Sequence, residues 1–355
     1  MGLLEGLAAI DAVNQYLLYS YVEHAVSVRA PLPRGKNFRF DTLRFAADHW
    51  KQMWFRAELP PQDALEPVDV IHSLFFNAPP EHHGSLVATI YDVSFLLYPE
   101  FHVEANRLHC LNGTMNAALY ADRIIAVSQQ TKRDIMNYFS VAEDRIRVTH
   151  LAPRKVFYPE RNLELIRRTL QRLAIYENFI LFVGTLEPRK NLRNLLEAYA
   201  RYVDSRVGRE LLVVVGARGW GNENVYHMVS ELGLERHVRF LGHVPESDLR
   251  VLYSVAKVFV YPSFYEGFGL PPLEAMACGA PVIASNTSSL PEVVGDAGML
   301  INPGAVEELY AAMRTVLTDE DLRLQGRRRA LERAKHFSWE QTARETLAVY
   351  QELCG

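Results

Sequence analysis

Phe179–Ile180–Leu181–Phe182–Val183–Gly184 is the stretch from which the fold can be read. Five consecutive apolar residues leave no polar face, so a strand here is covered on both sides, as in a parallel sheet between helix layers. Gly184 ends the run, and residues 192–203 resume with helical spacing. The same strand-then-helix unit recurs downstream. Residues 210–215 are a strand ending at Gly216, with a helix at 225–232. Strands at 238–241, 258–261 and 281–284 alternate with helices at 246–254 and 272–278. Helices at 305–316, 319–335 and 339–353 complete this part, which is therefore of the α/β class.

Upstream the alternation continues less regularly. Leu3, Leu4, Leu7, Ala8 and Ile10 have helical spacing, and residues 15–21 read as a strand. Spaced apolar residues over 38–56 predict a helix. Strands are expected at 68–72, 85–91, 123–127 and 145–149, with helices at 103–121 and 129–139. Charge and two prolines, Pro153 and Pro159, mark a boundary over 152–176, with helical spacing at 163–173. The expected division is an N-terminal domain over 1–155, a linker at 156–176, a second domain over 177–336 and a last helix at 337–355. That helix is expected to pack back on the first domain.

Bulk properties narrow the function. The chain has 355 residues and a net charge of −4, from 38 basic and 42 acidic side chains, which argues against coating nucleic acid. Three well-separated cysteines, Cys110, Cys278 and Cys354, offer neither a disulfide framework nor a metal cluster and suit a reducing compartment. No export signal and no apolar run of about 18 residues is present, so the expected location is cytoplasmic.

Three loops carry chemistry. Gly184–Thr185–Leu186–Glu187–Pro188–Arg189–Lys190–Asn191 joins a strand to a helix. Two cations near a helix start can hold a diphosphate; a solvated basic turn would look the same. Gly216–Ala217–Arg218–Gly219–Trp220–Gly221 is a second flexible loop, compatible with nucleotide contact or with a plain connection. The third runs from Pro262 to Glu274 and includes Glu266, Gly267, Phe268, Gly269 and Leu270. Its glycines leave room for a ligand, and its two carboxylates can take separate tasks, one at a sugar and one at ribose hydroxyls. A surface glutamate and a helical salt bridge are the plainer alternatives. Paired carboxylates also occur in glycoside hydrolysis, but a neighbouring basic loop favours an anionic leaving group stabilised electrostatically.

Taken together these motifs resemble the GT-B-fold family 4 retaining glycosyltransferases. The likeness covers almost the whole chain and is strongest over 179–303 and 337–350. It implies two Rossmann-like domains facing a cleft, with acceptor bound mainly by the first and nucleotide sugar by the second. It implies that Arg189 and Lys190 neutralise the diphosphate and that Glu274 binds ribose. Glu266 would lie near the transferred sugar, and backbone groups around Gly184, Gly267, Phe268, Gly269 and Leu270 would hold donor. No metal or other cofactor is required. On the acceptor side, Tyr91–Asp92 stands where many relatives have His–Asp, and a phenol is a weak base near neutrality. Ser128 is a second acceptor-side candidate, or a helix cap. Relatives also place a strand and a Gly-rich turn before the helix matched here by residues 3–10. Their absence implies a shortened sequence record or a divergent form.

Residues 182–191 and 337–350 look closest to bacterial polysaccharide mannosyltransferases. The implied reaction is transfer of mannose from GDP-mannose, with retention, to a saccharide or lipid-linked oligosaccharide. A nucleotide-sugar epimerase or hydrolase, or an inactive binding protein, is the alternative. A polyprenyl-linked acceptor would bring the enzyme to the inner membrane face, where Arg29, Arg34, Lys36 and Arg39 could meet anionic lipid; an ordinary basic loop has the same composition.

Overall fold

The computed structural model describes residues 1–21, 35–43, 66–74, 84–219 and 223–354. These form two compact units, Met1–Ala152 with Ser338–Gly355, and Pro153–Phe337.

The first unit begins with helix α1 (Gly2–Ile10). Asp11 then organises the exit: its carboxylate accepts from the Val13 and Asn14 amides and from the Tyr16 hydroxyl. Strands β1 (Tyr16–Tyr21) and β2 (Phe38–Leu43) form a separate parallel pair, with Tyr16 and Phe38 stacked at 4.6 Å. This corrects the expected helix at 38–56. Phe-Arg-Phe-Asp-Thr-Leu alternates with period two, which suits a strand better than a 3.6-residue repeat; the rest of that expected helix, and Arg29 and Arg34, lie outside the described residues.

Strands β3 (Val70–Ser73) and β4 (Ser85–Ile90) lead to helices α2 (Ser94–Leu97) and α3 (Glu104–Tyr120). Strand β5 (Arg123–Ala126), helix α4 (Gln129–Phe139) and strand β6 (Ile146–Val148) follow. The four strands form one parallel sheet in the order β3-β4-β5-β6.

The second unit opens with helix α5 (Leu163–Arg172), capped by the Asn162 side chain. Residues 156–176, expected as a linker, thus belong to this unit's own packing. Strand β7 (Phe179–Val183), helix α6 (Leu192–Asp204), strand β8 (Leu211–Val215), helix α7 (Glu223–Glu231) and strand β9 (Val238–Gly242) make its first half. Helix α8 (Glu246–Val255), strand β10 (Val258–Tyr261), helix α9 (Leu270–Ala277) and strand β11 (Val282–Ser285) follow. Helix α10 (Leu290–Val294), strand β12 (Met299–Ile301) and helices α11 (Val306–Thr318) and α12 (Glu320–Ala334) close the unit.

The six strands run parallel in the order β12-β11-β10-β7-β8-β9. Continuous apolar strands demand cover on both faces. Leu192, Leu195, Leu196, Tyr199 and Tyr202 of α6 supply it on one side, packed with α11. Helices α8, α9 and α12 pack together as a second group. The order has one decisive feature. From β7 the chain winds outward to β9, then returns to β10 on β7's other side and winds the opposite way. Connections after β7 and β10 therefore diverge, opening a crevice at the carboxyl ends of these two central strands.

The chain then returns to the first unit as helix α13 (Trp339–Cys354). Helices α1 and α13 approach closely: a Cβ on Gly6 would lie 2.3 Å from the Trp339 carbonyl oxygen. His72 ties α13 to the sheet, its Nδ1 2.6 Å from the Tyr350 hydroxyl and its Nε2 2.8 Å from Thr89 Oγ1. Burial pushes the imidazole down to about 4, so it is neutral at physiological pH.

Candidate functional site

The two loops at the switch point are two of the three singled out from sequence. After β7, Pro188–Lys190 makes a single 3₁₀ turn, and Asn191 adopts the left-handed conformation before α6. Asparagine tolerates that backbone better than most residues, and its side chain fixes the turn. Its Nδ2 donates to the carbonyls of Pro262, at 3.0 Å, and Pro303, at 2.7 Å. The Phe264 amide donates back to the Arg189 carbonyl at 2.9 Å. The loops after β7 and β10 are thereby one body.

Between them lies a buried ionic cluster. Lys190 Nζ is 2.6 Å from Glu266 Oε1 and 2.8 Å from the Tyr261 hydroxyl. Ser263 and Tyr261 also donate to Glu266 Oε1, at 2.6 and 3.0 Å. Arg189 Nη1 lies 3.2 Å from Glu266 Oε2, and its Nη2 donates to Glu187 at 2.6 Å. Burial alone would raise the Glu266 carboxyl, but Lys190 and Arg189 outweigh it and bring it down to about 2. The cluster holds two cations and two carboxylates, so Arg189 and Lys190 are internally compensated rather than a bare positive patch. Capacity remains: Oε1 accepts three donors, whereas among the described residues Oε2 meets Arg189, and a carboxylate offers about four acceptor positions.

The loop after β10 is suspended from the one after β11. Ser288 Oγ accepts from the Glu266 amide at 3.0 Å, while Ser289 donates to the carbonyls of Glu266 and Phe268 at 2.9 and 2.7 Å. Gly269, at φ 109°, turns the chain into α9. Helix α9 starts at Leu270, and Pro271 and Pro272 lack amide donors. The backbone donors of this helix start are accordingly concentrated at Leu270 and the residues preceding it. Gly184 contrasts with Gly216, whose added Cβ would lie 1.9 Å from the Gly184 carbonyl; at Gly184 the nearest atom is Lys190 Cγ at 3.7 Å. The fold itself does not require glycine at 184.

Glu274, one turn into the site helix, does not join the cluster. Its Oε1 accepts from Arg154 Nε at 2.9 Å, and burial raises its carboxyl against the opposing pull of Arg154.

In the first unit, Tyr91 and Asp92 follow β4, and Ser128 follows β5. Thr131 connects them, donating to the Tyr91 carbonyl at 3.1 Å and accepting from Ser128 Oγ at 3.1 Å. Asp92 accepts from the amide and hydroxyl of Ser94, at 2.9 and 2.7 Å, at the start of α2. Desolvation raises the Tyr91 phenol further from neutrality. Ser128 is fully buried and caps α4 through the Thr131 amide at 3.0 Å.

A model of "Glycosyl transferases group 1" matches residues 168–335, which hold β7, β10 and both site loops. The O-antigen chain mannosyltransferase B of Escherichia coli is 39% identical over 266 residues, covering 75% of this chain and 70% of that protein. The chain belongs to the group 1 glycosyltransferases. The Serotype-specific mannosyltransferase WbdA of the same species is 34% identical over 226 residues, 63% of this chain but only 28% of that protein. In fold, the sucrose-phosphate synthase of Thermosynechococcus elongatus superposes with a TM-score of 0.77 at 23% identity, covering 99% of this chain and 91% of that one. The architecture is GT-B, with two Rossmann-like domains.

Several residues of this glycosyltransferase's site were not anticipated from sequence: Glu187, Tyr261, Ser263, Arg154 and the run Thr287–Ser288–Ser289. Glu187 and Ser263 lie within the loops singled out from sequence, and the last run carried a signal of its own, three hydroxyl residues just after an apolar strand. Arg39, considered for lipid contact, is paired with Glu66. No helix among the described residues is long and apolar enough to cross a membrane.

Proposed function

We propose that this glycosyltransferase transfers mannose from GDP-mannose, with retention of configuration, to a hydroxyl of a saccharide or lipid-linked oligosaccharide in surface polysaccharide synthesis. The observation that carries the sugar is the 39% identity to O-antigen chain mannosyltransferase B. The switch-point crevice supports the donor assignment. Arg189 and Lys190 stabilise the diphosphate, with Gly184 and the backbone from Gly267 to Leu270 lining it. Glu274 binds ribose, and Glu266 Oε2 meets the transferred sugar. Tyr91 and Asp92 orient the acceptor.

The diphosphate leaves as an anion, so preorganised positive charge matters more than a strong acid. The acceptor hydroxyl attacks from the leaving-group face, and the departing diphosphate takes its proton. The reaction runs at the cytoplasmic face of the membrane when the acceptor is polyprenyl-linked.

A panel of nucleotide sugars, each with and without lipid-linked saccharide, tests this reading. The expected result is an acceptor-dependent product from GDP-mannose with the donor's anomeric configuration. Acceptor-independent hydrolysis or epimerisation would replace transfer with a different reaction. Efficient use of a UDP-sugar instead would overturn the mannose assignment.

A further inference from the structure

Residues 153–160 form a strap across α8 that ends at the site. The Phe157 ring packs edge-on against Tyr253 at 5.6 Å. Arg250 of α8 sits over the Tyr158 ring at 4.3 Å and pairs with Glu160 at 2.6 Å, and the Glu160 amide donates to Ser254 Oγ at 2.9 Å. These contacts hold the intervening backbone, and the Phe157 amide donates to the Arg154 carbonyl at 2.9 Å. Arg154 is thus delivered in a fixed direction. Its Nε reaches Glu274, its Nη1 reaches Glu246 at the start of α8, and its guanidinium lies 4.8 Å from the Phe157 ring centre. Its side chain is 47% exposed whereas that of Glu274 is 7% exposed. The arginine reaches inward from the surface to a carboxylate that the fold has buried.

We propose that Arg154 is a positioning residue for donor binding: it orients the Glu274 carboxylate and keeps it charged, with one oxygen engaged and the other left to receive the nucleotide's ribose hydroxyls. This rests on the reading of Glu274 as the ribose ligand. A buried carboxylate loses its charge readily, and Arg154 is the cation that hydrogen-bonds it. The other titratable groups around it do not help it ionise. Glu246 repels it from α8, and the Tyr253 hydroxyl and the Cys278 thiol, at the end of α9, are neutral and pushed well up by burial. Without Arg154, Glu274 would protonate at higher pH, and its hydrogen bonds to ribose would lose their charge assistance.

The test is calorimetric titration of GDP into the whole protein from about pH 6 to about pH 9, each variant expressed as a ratio to the unsubstituted protein, which cancels GDP's own titration. Arg154→Met is expected to weaken GDP on the order of tenfold at the acid end and to recover most of that as pH rises, the size of one lost charge-assisted contact. Arg154→Lys retains the charge and should restore a flat ratio. Glu274→Gln should be weak at every pH, and adding Arg154→Met to it should change nothing further. Normal GDP binding by Glu274→Gln would overturn the ribose reading itself. Weak binding by Glu274→Gln beside an unchanged or pH-independent Arg154→Met ratio would overturn the positioning role alone. If Arg154→Met does not fold, Arg154→Lys with Arg154→Gln decides: a sloping ratio for glutamine and a flat one for lysine supports the role, and parallel ratios overturn it.

Discussion

The strand-end loops of the two units differ in what their polar side chains do. In the first, Asp92 and Ser128 turn back onto neighbouring amides, Asp92 onto Ser94 and Ser128 as the cap of α4. In the second, Glu187, Arg189, Lys190 and Glu266 converge in a buried cluster. Capping costs nothing in desolvated charge. Burying four charges is expensive unless each is paired, and such a cluster gives a site for strong, directional electrostatics. The lesson is that the strand ends of one repeated architecture use polar side chains differently: one set bonds neighbouring backbone, the other gathers into an ionic cluster.

The sharpest way to break that comparison is Glu266→Ala. It leaves Lys190 without this carboxylate and takes from Arg189 its contact with Glu266 Oε2, and breaking a buried pair costs about 3–5 kcal/mol. In protein that remains folded, single-turnover transfer should fall on the order of a hundredfold or more, with a smaller loss of GDP affinity. Near-normal single-turnover rates at saturating donor and acceptor would remove Glu266 from the reaction. Since its carboxyl lies at about 2 in the folded protein, its stabilisation is full above the unfolded value and is lost only as pH falls towards 2.

Lys190→Ala and Arg189→Ala come next. Each removes one cation from the proposed diphosphate position, worth about 1.5–3 kcal/mol in donor affinity and rate. If both folded variants turned over and bound GDP normally, the ionic cluster would be purely architectural and the contrast between units would lose its functional meaning.

The first unit has its own buried titratable group, and acid denaturation isolates it. His72 is held at about 4 while an unfolded histidine titrates near 6.5. The unfolded chain therefore binds the extra proton first, and stability should decline between those values as pH falls, by up to roughly 3 kcal/mol. His72→Gln should flatten that decline in urea titrations of the first unit's unfolding. An equally steep slope in the variant would assign the effect elsewhere.

Smallest is Ser128→Ala, expected to cost about 1 kcal/mol of stability, the usual worth of an N-cap, with transfer almost unchanged. A large loss of acceptor affinity without loss of stability would show that the first unit's serine is more than a cap.

The regular parts of this fold are legible because continuous apolar strands punctuated by Gly or Pro admit few other structures. Strand β12 spans three residues, Met299–Ile301, and α10 five, Leu290–Val294; neither repeats its period often enough to be recognised. Residues 38–43 show the opposite failure, a two-residue alternation absorbed into an apparent helical stripe. Site loops announce themselves by composition, but pairings do not. Lys190 and Glu266 are 76 positions apart, Arg154 and Glu274 are 120, and His72 and Tyr350 are 278. Such partners meet only through topology, and composition on either side carries no trace of them.

Helix α13 has a consequence for the order in which the protein comes into being. The first unit is assembled from two stretches of chain separated by the whole of the second. As the ribosome emits the polypeptide, Pro153–Phe337 is complete before the helix that finishes its neighbour has been translated. Val349 of that helix packs on Val87 and Ile125 of the first sheet, so those side chains await their cover until helix α13 emerges. The second unit can mature as a continuous nascent domain, while the earlier-made unit depends on the codons of helix α13.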